Sequence, residues 1–339
     1  FVFDRYISTK SELRGTTMRN YIYMYNRFVR NGFGKKKIAA IRFSDVLQFY
    51  QHLLKDKEMQ IKTFETIHTV LHTKFQLAVR DEIIRNNPSD GVMAQIKKQP
   101  GRNHGVRHAL TLEQQRAFIN YIENNPTYYR WTSLFKFLLG TGCRIGEAIG
   151  IRWEDVNFEK RIISINHSLV YYSREFKEHP MCTFSISLPK TEAGIRFIPM
   201  MDAVYDALRA ELADQQENGF NETEIDGMKG FIFMNRFGYV HNPQSINRAI
   251  KRIYESYNAE EVVNASKQHR EPVLIPHFSC HHLRHTFCSR FCENETNLKV
   301  IQSIMGHANI ETTMDIYAEV TDAKKQEAIE NLAHKLDVF

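Results

Sequence analysis

The chain has 339 residues, 42% of them apolar and 25% charged, with a net charge of +6. That suits a globular protein of two or three domains, and no run approaches the ~18 uninterrupted apolar residues of a membrane span, so no membrane partner is expected. No signal peptide is visible. The five cysteines (Cys143, Cys182, Cys280, Cys288, Cys292) lack framework spacing, which argues against a disulfide scaffold and for reduced, cytosolic thiols. The charge is uneven: residues 1–110 hold 20 Lys and Arg against 9 Asp and Glu. A basic N-terminal third fits a polyanion such as nucleic acid, although a solvated basic surface has the same composition.

After a short lead-in, Thr16 or Thr17 is placed to cap a helix to about Asn31, stopped by Gly32. Met18, Tyr21, Ile22, Tyr25, Phe28 and Val29 recur at helical spacing as a core face. The opposite stripe is Arg19, Tyr23, Arg27 and Arg30, a face suited to tracking phosphates or simply to water. Lys35, Lys36 and Lys37 share one loop. Ser44 is placed to cap a second helix to about Lys55, with Val46, Leu47, Tyr50 and Leu53 inward. A third helix is expected over 62–84, burying Phe64, Ile67, Leu71, Phe75 and Ala78. Its polar stripe is Lys62, Thr66, Thr69, Thr73, Gln76 and Arg80, and hydroxyls flanked by bases are common DNA contacts. Asn86-Asn87-Pro88 ends it.

Residues 97–110, with Lys97, Lys98, Arg102 and Arg107 among Pro and Gly, read as a basic linker. Thr111 and Gln114 form a capping box that opens a new helical region. Helices near 112–123 and 128–139 lead into Leu139-Gly-Thr-Gly-Cys-Arg-Ile-Gly-Glu-Ala148. There a glycine turn feeds a helix start carrying Arg144 and, on the same face, Glu147. Strands are expected at 161–166, 169–172, 184–188 and 195–199, the last two flanking a turn that presents Lys190. Arg196 lies just inside the return strand and is counted with the DNA contacts; residues 167–183 read as an insertion or a longer hairpin. Helices follow at 202–214 and 243–254, with a short strand at 231–234, a polar loop at 217–229 and irregular chain over 256–277.

The densest chemistry lies between Cys280 and Tyr317. His281 and Arg284 share a helix face, His307 follows a glycine, and Tyr317 follows Thr312-Thr313. Arginine suits phosphate oxygens, histidine moves protons near neutral pH, and tyrosine with nearby cations can act as a nucleophile. Singly, each has a bland reading: a capping or core histidine, a turn histidine, a core tyrosine. His281 and His285 are four apart, but no CxxC pair or HExxH accompanies them, so no metal and no cofactor is expected.

HxxR followed by GHxxxxTTxxxY resembles the C-terminal signature of the tyrosine recombinases, the phage and transposon integrase family. Residues 139–148 resemble that family's first catalytic box, and PKTxxGxRxIP its lysine hairpin. The look is nearest to integrases of Gram-positive conjugative transposons. The resemblance implies a mainly α fold with a small antiparallel β-sheet (α+β). Residues 1–96 would be a helical core-binding domain that clamps DNA and 97–110 a basic linker. Residues 111–321 would be the catalytic domain. Residues 322–339 would form a C-terminal helix, with Ala328, Ile329, Leu332 and Leu336 packing on their own domain or on a neighbouring protomer.

By the same resemblance, Tyr317 attacks the scissile phosphate to form a 3′-phosphotyrosyl link. Arg144 and Arg284 hold its oxygens, Lys190 protonates the leaving 5′ oxygen, and His281 and His307 handle protons. Glu147 supports Arg144. The implied function is site-specific DNA recombination, integrating or excising a mobile element through a Holliday junction. The implied partners are double-stranded DNA at specific core sites, further copies of the chain in a dimer or tetramer, and accessory bending or excision factors, all in the bacterial cytoplasm. Two details depart from the common pattern: His307 and Tyr317 are one residue further apart than in many members, and Glu319 stands where a histidine often follows. His282 and His285 read as structural. The chain begins at Phe1, which suits an N-terminal arm-binding domain lying upstream. The nearest rival is a type IB topoisomerase, which shares the chemistry but reseals the same strand. A non-catalytic DNA-binding regulator on the same fold is a rival of a different class, and a metal-dependent nuclease a more distant one.

Overall fold

The computed structural model describes residues 2–9, 15–55, 59, 61–97, 109–174, 181–189 and 194–320. It divides into two compact units, Phe1–Val106 and Arg107–Phe339, each with its own apolar core. The architecture is mainly helical with small antiparallel sheets.

The first unit contains α1 (Val2–Ser8), α2 (Gly15–Met24), α3 (Phe43–Lys55), α4 (Ile61–Arg80) and α5 (Val92–Lys97). Its core comes from one stripe on each long helix: Val46, Tyr50, Leu53 and Leu54 on α3, and Phe64, Ile67, Leu71, Phe75 and Ala78 on α4. α2 starts at Gly15, before either candidate threonine cap, and runs into a wide π turn over Tyr25–Arg30. Tyr25 and Val29 stay buried there, and the Tyr25 ring stacks on Phe3 at 3.6 Å. Asp45, not Ser44, closes the start of α3, accepting the Arg42 N–H at 2.9 Å. α4 stops at Arg80, short of the expected Ile84. The Ile83 N–H instead turns back to the Ala78 carbonyl at 2.8 Å.

The second unit opens with α6 (Leu112–Asn124), started by the expected Thr111–Gln114 capping box. At its centre is α7 (Thr132–Thr141), apolar nearly all round, with Leu134, Phe135, Phe137, Leu138 and Leu139 buried. It packs on α9 (Asp202–Asn218) and α11 (Cys280–Asn294). Between them come α8 (Ile145–Gly150) and the strands β1 (Val156–Asn157), β2 (Ile162–Ile165), β3 (Ser168–Arg174), β4 (Met181–Ser187) and β5 (Arg196–Pro199). β1, β2 and β5 form one antiparallel sheet in that order, and β3 with β4 a separate hairpin. Alternation along β5 turns Arg196 and Ile198 inward and Phe197 and Pro199 outward.

Two expectations are corrected in this unit. Residues 231–234 make only isolated bridges, Arg152 with Phe231 and Met234 with Val240. α10 (Pro243–Lys267) continues well past 254, through the stretch expected to be irregular. The fully buried residues of its second half are only Glu261 and Ala265, too few apolar positions to read as a core face. Burial of Glu261 is offset by the bonds it accepts, from both outer guanidinium nitrogens of Arg270 at 2.5 and 2.9 Å and from the Val273 N–H at 3.0 Å. α12 (Leu298–Met305) and a helix over 311–320 complete the described chain. Among the described residues no helix is long and apolar enough to cross a membrane, and Cys143, Cys280, Cys288 and Cys292 are buried free thiols.

Candidate active site

The site is built around the last turn of α12. Gly306 ends that helix in the left-handed conformation (φ 62°) and leaves the final carbonyls without intrahelical donors. Three arginines from three separate elements supply them. Arg196 Nε of β5 donates to the Ile304 carbonyl at 2.8 Å, Arg284 Nη2 of α11 to Met305 at 2.6 Å, and Arg144 Nη2, at the start of α8, to Gly306 at 2.9 Å. The negative end of the helix dipole favours those cations.

Glu147 ties the arginines together. Oε2 accepts the Arg144 N–H at 2.8 Å, and Oε1 accepts the Arg144 side chain at 2.8 Å. The buried Arg196 reaches the same carboxylate with both outer nitrogens, at 3.2 and 2.8 Å. Burial pushes the Glu147 carboxyl up, but the bonds and charges of Arg196 and Arg144 outweigh it and hold its pKa at about 2. Burial and the neighbouring Arg144 push Arg284 down to about 10, leaving it charged at neutral pH. The expectation that Arg196 contacts DNA is therefore corrected: its guanidinium is buried and committed to Glu147 and Ile304.

The glycine turn places these groups. Gly142 adopts φ 61°, a conformation that disfavours a side chain. A Cβ there would also collide with the Phe287 ring of α11. The close approach lets Arg284 Nη1 donate to the Gly142 carbonyl at 2.6 Å.

His307 is buried beside the arginines, and Gln302 Nε2 donates to its carbonyl at 2.9 Å. Its Nδ1 lies 2.9 Å from the hydroxyl of the fully buried Thr313. Burial, then the charges of Arg284, Arg144 and Arg196, lower its pKa to about 4, so the imidazole is neutral at physiological pH. His281 is exposed on the first turn of α11, one turn before Arg284. Tyr317 is half-buried, its ring packed on the cluster of Cys288, Cys292, Ile301 and Met305. His282 Nδ1 accepts the Ser279 N–H at 3.1 Å and so closes the start of α11. His285 Nε2 lies 3.8 Å from Glu319, pairing α11 with the helix that bears Tyr317. The structure thus gathers Arg144, Glu147, Arg284 and His307. Lys190 lies outside the described residues, as do Lys98, Arg102, Arg107 and 322–339.

On the first unit, Tyr23 is 53% exposed and Arg27 lies 5.8 Å over its ring. Arg19 is half-buried, and Lys35, Lys37 and Arg80 are exposed. Lys36 pairs with Asp45, and Arg30 with Asp4 at 2.9 Å and Asn26 at 2.7 Å. Thr69 and Thr73 turn their hydroxyls to their own helix, at Glu65 and Thr69, while Thr66 is half-buried. The side chains of Lys62 and Lys97 lie outside those described.

The fold and this arginine-rich centre define a tyrosine recombinase, an enzyme that cuts and rejoins DNA at specific sites. Residues 108–324 match the sequence model of the phage integrase family, and the chain belongs to that family. The transposase from transposon Tn916 of Enterococcus faecalis is 29% identical over 312 residues, covering 92% of this chain and 71% of its own. The solved Tn1549 transposon integrase in complex with transposon right end DNA is 27% identical, with a TM-score of 0.80 over 98% of each chain. In complex with a circular intermediate DNA the same integrase matches at 26% identity and a TM-score of 0.78, over 96% of this chain and 98% of its own.

Proposed function

We propose that the chain is the integrase of a bacterial mobile element, acting on DNA in the cytoplasm with Tyr317 as nucleophile. The charge balance of the site carries this reading. Arg144, Arg196 and Arg284 face one carboxylate, Glu147, beside a neutral His307, and a phosphodiester would offset the positive surplus. Arg144 and Arg284 bind the two non-bridging oxygens, where charge develops in the transition state. Glu147 and Arg196 position them. The Tyr317 Oη–phosphorus bond forms as the bond from phosphorus to the 5′ oxygen breaks. Lys190, assigned from the sequence, gives that oxygen its proton, and His281 or His307 takes the phenol proton. The 3′-phosphotyrosyl link conserves the bond energy, and a 5′-hydroxyl from the partner strand reseals the DNA through a Holliday junction.

The Tn1549 integrase is seen with transposon right end DNA and with circular intermediate DNA, and ends of that kind are the substrate proposed here. Residues 1–96 clamp the core site, 97–110 link the domains, and 111–321 carry out the chemistry. Residues 322–339 pack on their own or a neighbouring protomer in a dimer or tetramer, with accessory bending or excision factors as further partners.

Covalent trapping tests this. Nicked duplexes from the DNA flanking the gene are incubated with the protein in EDTA and run on a denaturing gel beside Tyr317→Phe. The expected result is a shifted protein–DNA band that the variant lacks. Specific binding without any covalent band would favour a DNA-binding regulator, and a band that persists in the variant would remove Tyr317 from its role. Exchange between two paired sites separates a recombinase from a topoisomerase.

A further inference from the structure

His307 is fixed in two steps. Its backbone is clamped by Gln302: the His307 N–H donates to the Gln302 carbonyl at 3.2 Å, and Gln302 Nε2 donates to the His307 carbonyl at 2.9 Å. The ring could still turn about its side-chain bonds, and one contact stops it, Nδ1 against the Thr313 hydroxyl at 2.9 Å. Thr313 is fully buried. It lies on the helix over 311–320, which Asn309 opens by accepting the Glu311 N–H at 3.0 Å. Tyr317 follows four residues later on that helix, so Thr313 and the nucleophile share one face.

The direction of the hydrogen bond follows from what each partner has left. Among the described residues the Thr313 hydroxyl bonds to nothing but Nδ1. If Nδ1 carried the proton, the hydroxyl hydrogen would be a buried donor with no acceptor, which is costly. If the hydroxyl donates, Nδ1 accepts and no hydrogen is left over. His307 is neutral at physiological pH, and a neutral imidazole has one N–H, which then sits on Nε2. Nε2 makes no hydrogen bond among the described residues. Its N–H is therefore left for a ligand beside Arg144 and Arg284, which bond the two carbonyls just before His307.

We infer that Thr313 is a positioning residue for DNA cleavage: its hydroxyl donates to His307 Nδ1, sets the Nε2–H tautomer and holds that N–H in register with Tyr317 one turn away. The inference rests on the recombinase reading and adds a residue that acts on the scissile phosphate through His307. A neutral N–H beside the arginines gives the phosphate oxygen a hydrogen bond without adding a further positive charge to the cluster. With its Nδ1 lone pair engaged, His307 acts as a donor, and of the two histidines His281 takes the phenol proton. The bond also joins the turn after α12 to the helix of the nucleophile, so the donor and Tyr317 move together.

The test uses the full chain and a nicked duplex from the DNA flanking the gene, with adduct formation followed in a single turnover. Thr313→Val keeps the shape and removes the hydroxyl, and Thr313→Ser keeps the hydroxyl. Thr313→Val should slow adduct formation about 10- to 100-fold at unchanged duplex affinity, and Thr313→Ser should stay within about threefold of wild type. Nitrogen NMR of isotopically labelled histidines reads the tautomer directly, the His307 signals being assigned by their loss in His307→Asn. The wild type should show a protonated Nε2 and a bare Nδ1, and Thr313→Val a mixture of tautomers. Cleavage by Thr313→Val at the wild-type rate would overturn the proposal, as would equal slowing by Thr313→Val and Thr313→Ser, which would make Thr313 a packing residue only. A proton on Nδ1 in the wild type would overturn it without any variant, so the proposal is refutable even if Thr313→Val fails to fold. The wild-type spectra need no DNA: if they show the Nε2–H tautomer while Tyr317 forms no adduct, it is the recombinase reading that fails and not the hydrogen bond.

Discussion

Glu147 shows how one residue sets the electrostatics of the centre. It is the carboxylate on which Arg144 and Arg196 converge, and without it Arg196 would be a buried, uncompensated cation. Glu147→Gln is expected to cost about 3–5 kcal/mol in chemical denaturation and to slow adduct formation as Arg144 loses its brace. The pH dependence follows from the same group. Its pKa is about 2 in the fold against 4.5 ordinarily. The unfolded chain therefore binds more protons in that window, and stability rises with pH across it. Wild-type protein should lose about 3 kcal/mol as pH falls from 4.5 through 2, at about 1.4 kcal/mol per unit, and Glu147→Gln should lack that component. His307, held at about 4 against 6.5, has the same sign and brings on an earlier loss between those values. A stability curve for Glu147→Gln that keeps the full acid limb would refute the assignment.

At the scale of elements, the Gly142 turn decides whether α7, α8 and α11 meet. Gly142→Ala combines a positive-φ penalty with a collision on Phe287. Destabilisation of about 2–3 kcal/mol is expected, the φ part being about 1. Adding Phe287→Leu should recover the steric part only. Full recovery in the double variant would show that φ carries no cost there, and no recovery would show that the Phe287 contact does not matter. The strand and helix periodicities that place the active-site residues were legible in the sequence, as was the capping box at Thr111. The second half of α10 was not, because its buried face is a carboxylate paired with Arg270 rather than a row of apolar residues.

Across the whole molecule, both units carry buried cations, and these are stabilised differently. In the second unit Arg196 has Glu147. In the first, Lys74 is buried on α4, with the Tyr25 hydroxyl 3.5 Å away and its ring at 4.8 Å, and burial lowers its pKa to about 8. A cation desolvated without a carboxylate bond costs stability that an apolar chain of similar shape does not. Lys74→Met is expected to stabilise the first unit by about 2 kcal/mol at pH 7, read as roughly 30-fold slower amide exchange across α4. Faster exchange would mean that the charge is needed where it is. In the wild type, stability should rise from pH 8 to 10.5, the interval in which only the unfolded chain keeps the proton.

The sequence by itself determined which groups are available and in what local arrangement. Residues three or four apart on a helix share one face, so His281 with Arg284 and Arg144 with Glu147 could be paired from spacing alone. It also determined the family, because the ordered boxes from Arg144 to Tyr317 are shared along the chain. Only the tertiary structure decided what Arg196 does. It stands 49 residues from Glu147 and 108 from Ile304, and no local period connects such positions. Its partners come together because β5, α8 and the end of α12 pack around one set of carbonyls that need donors.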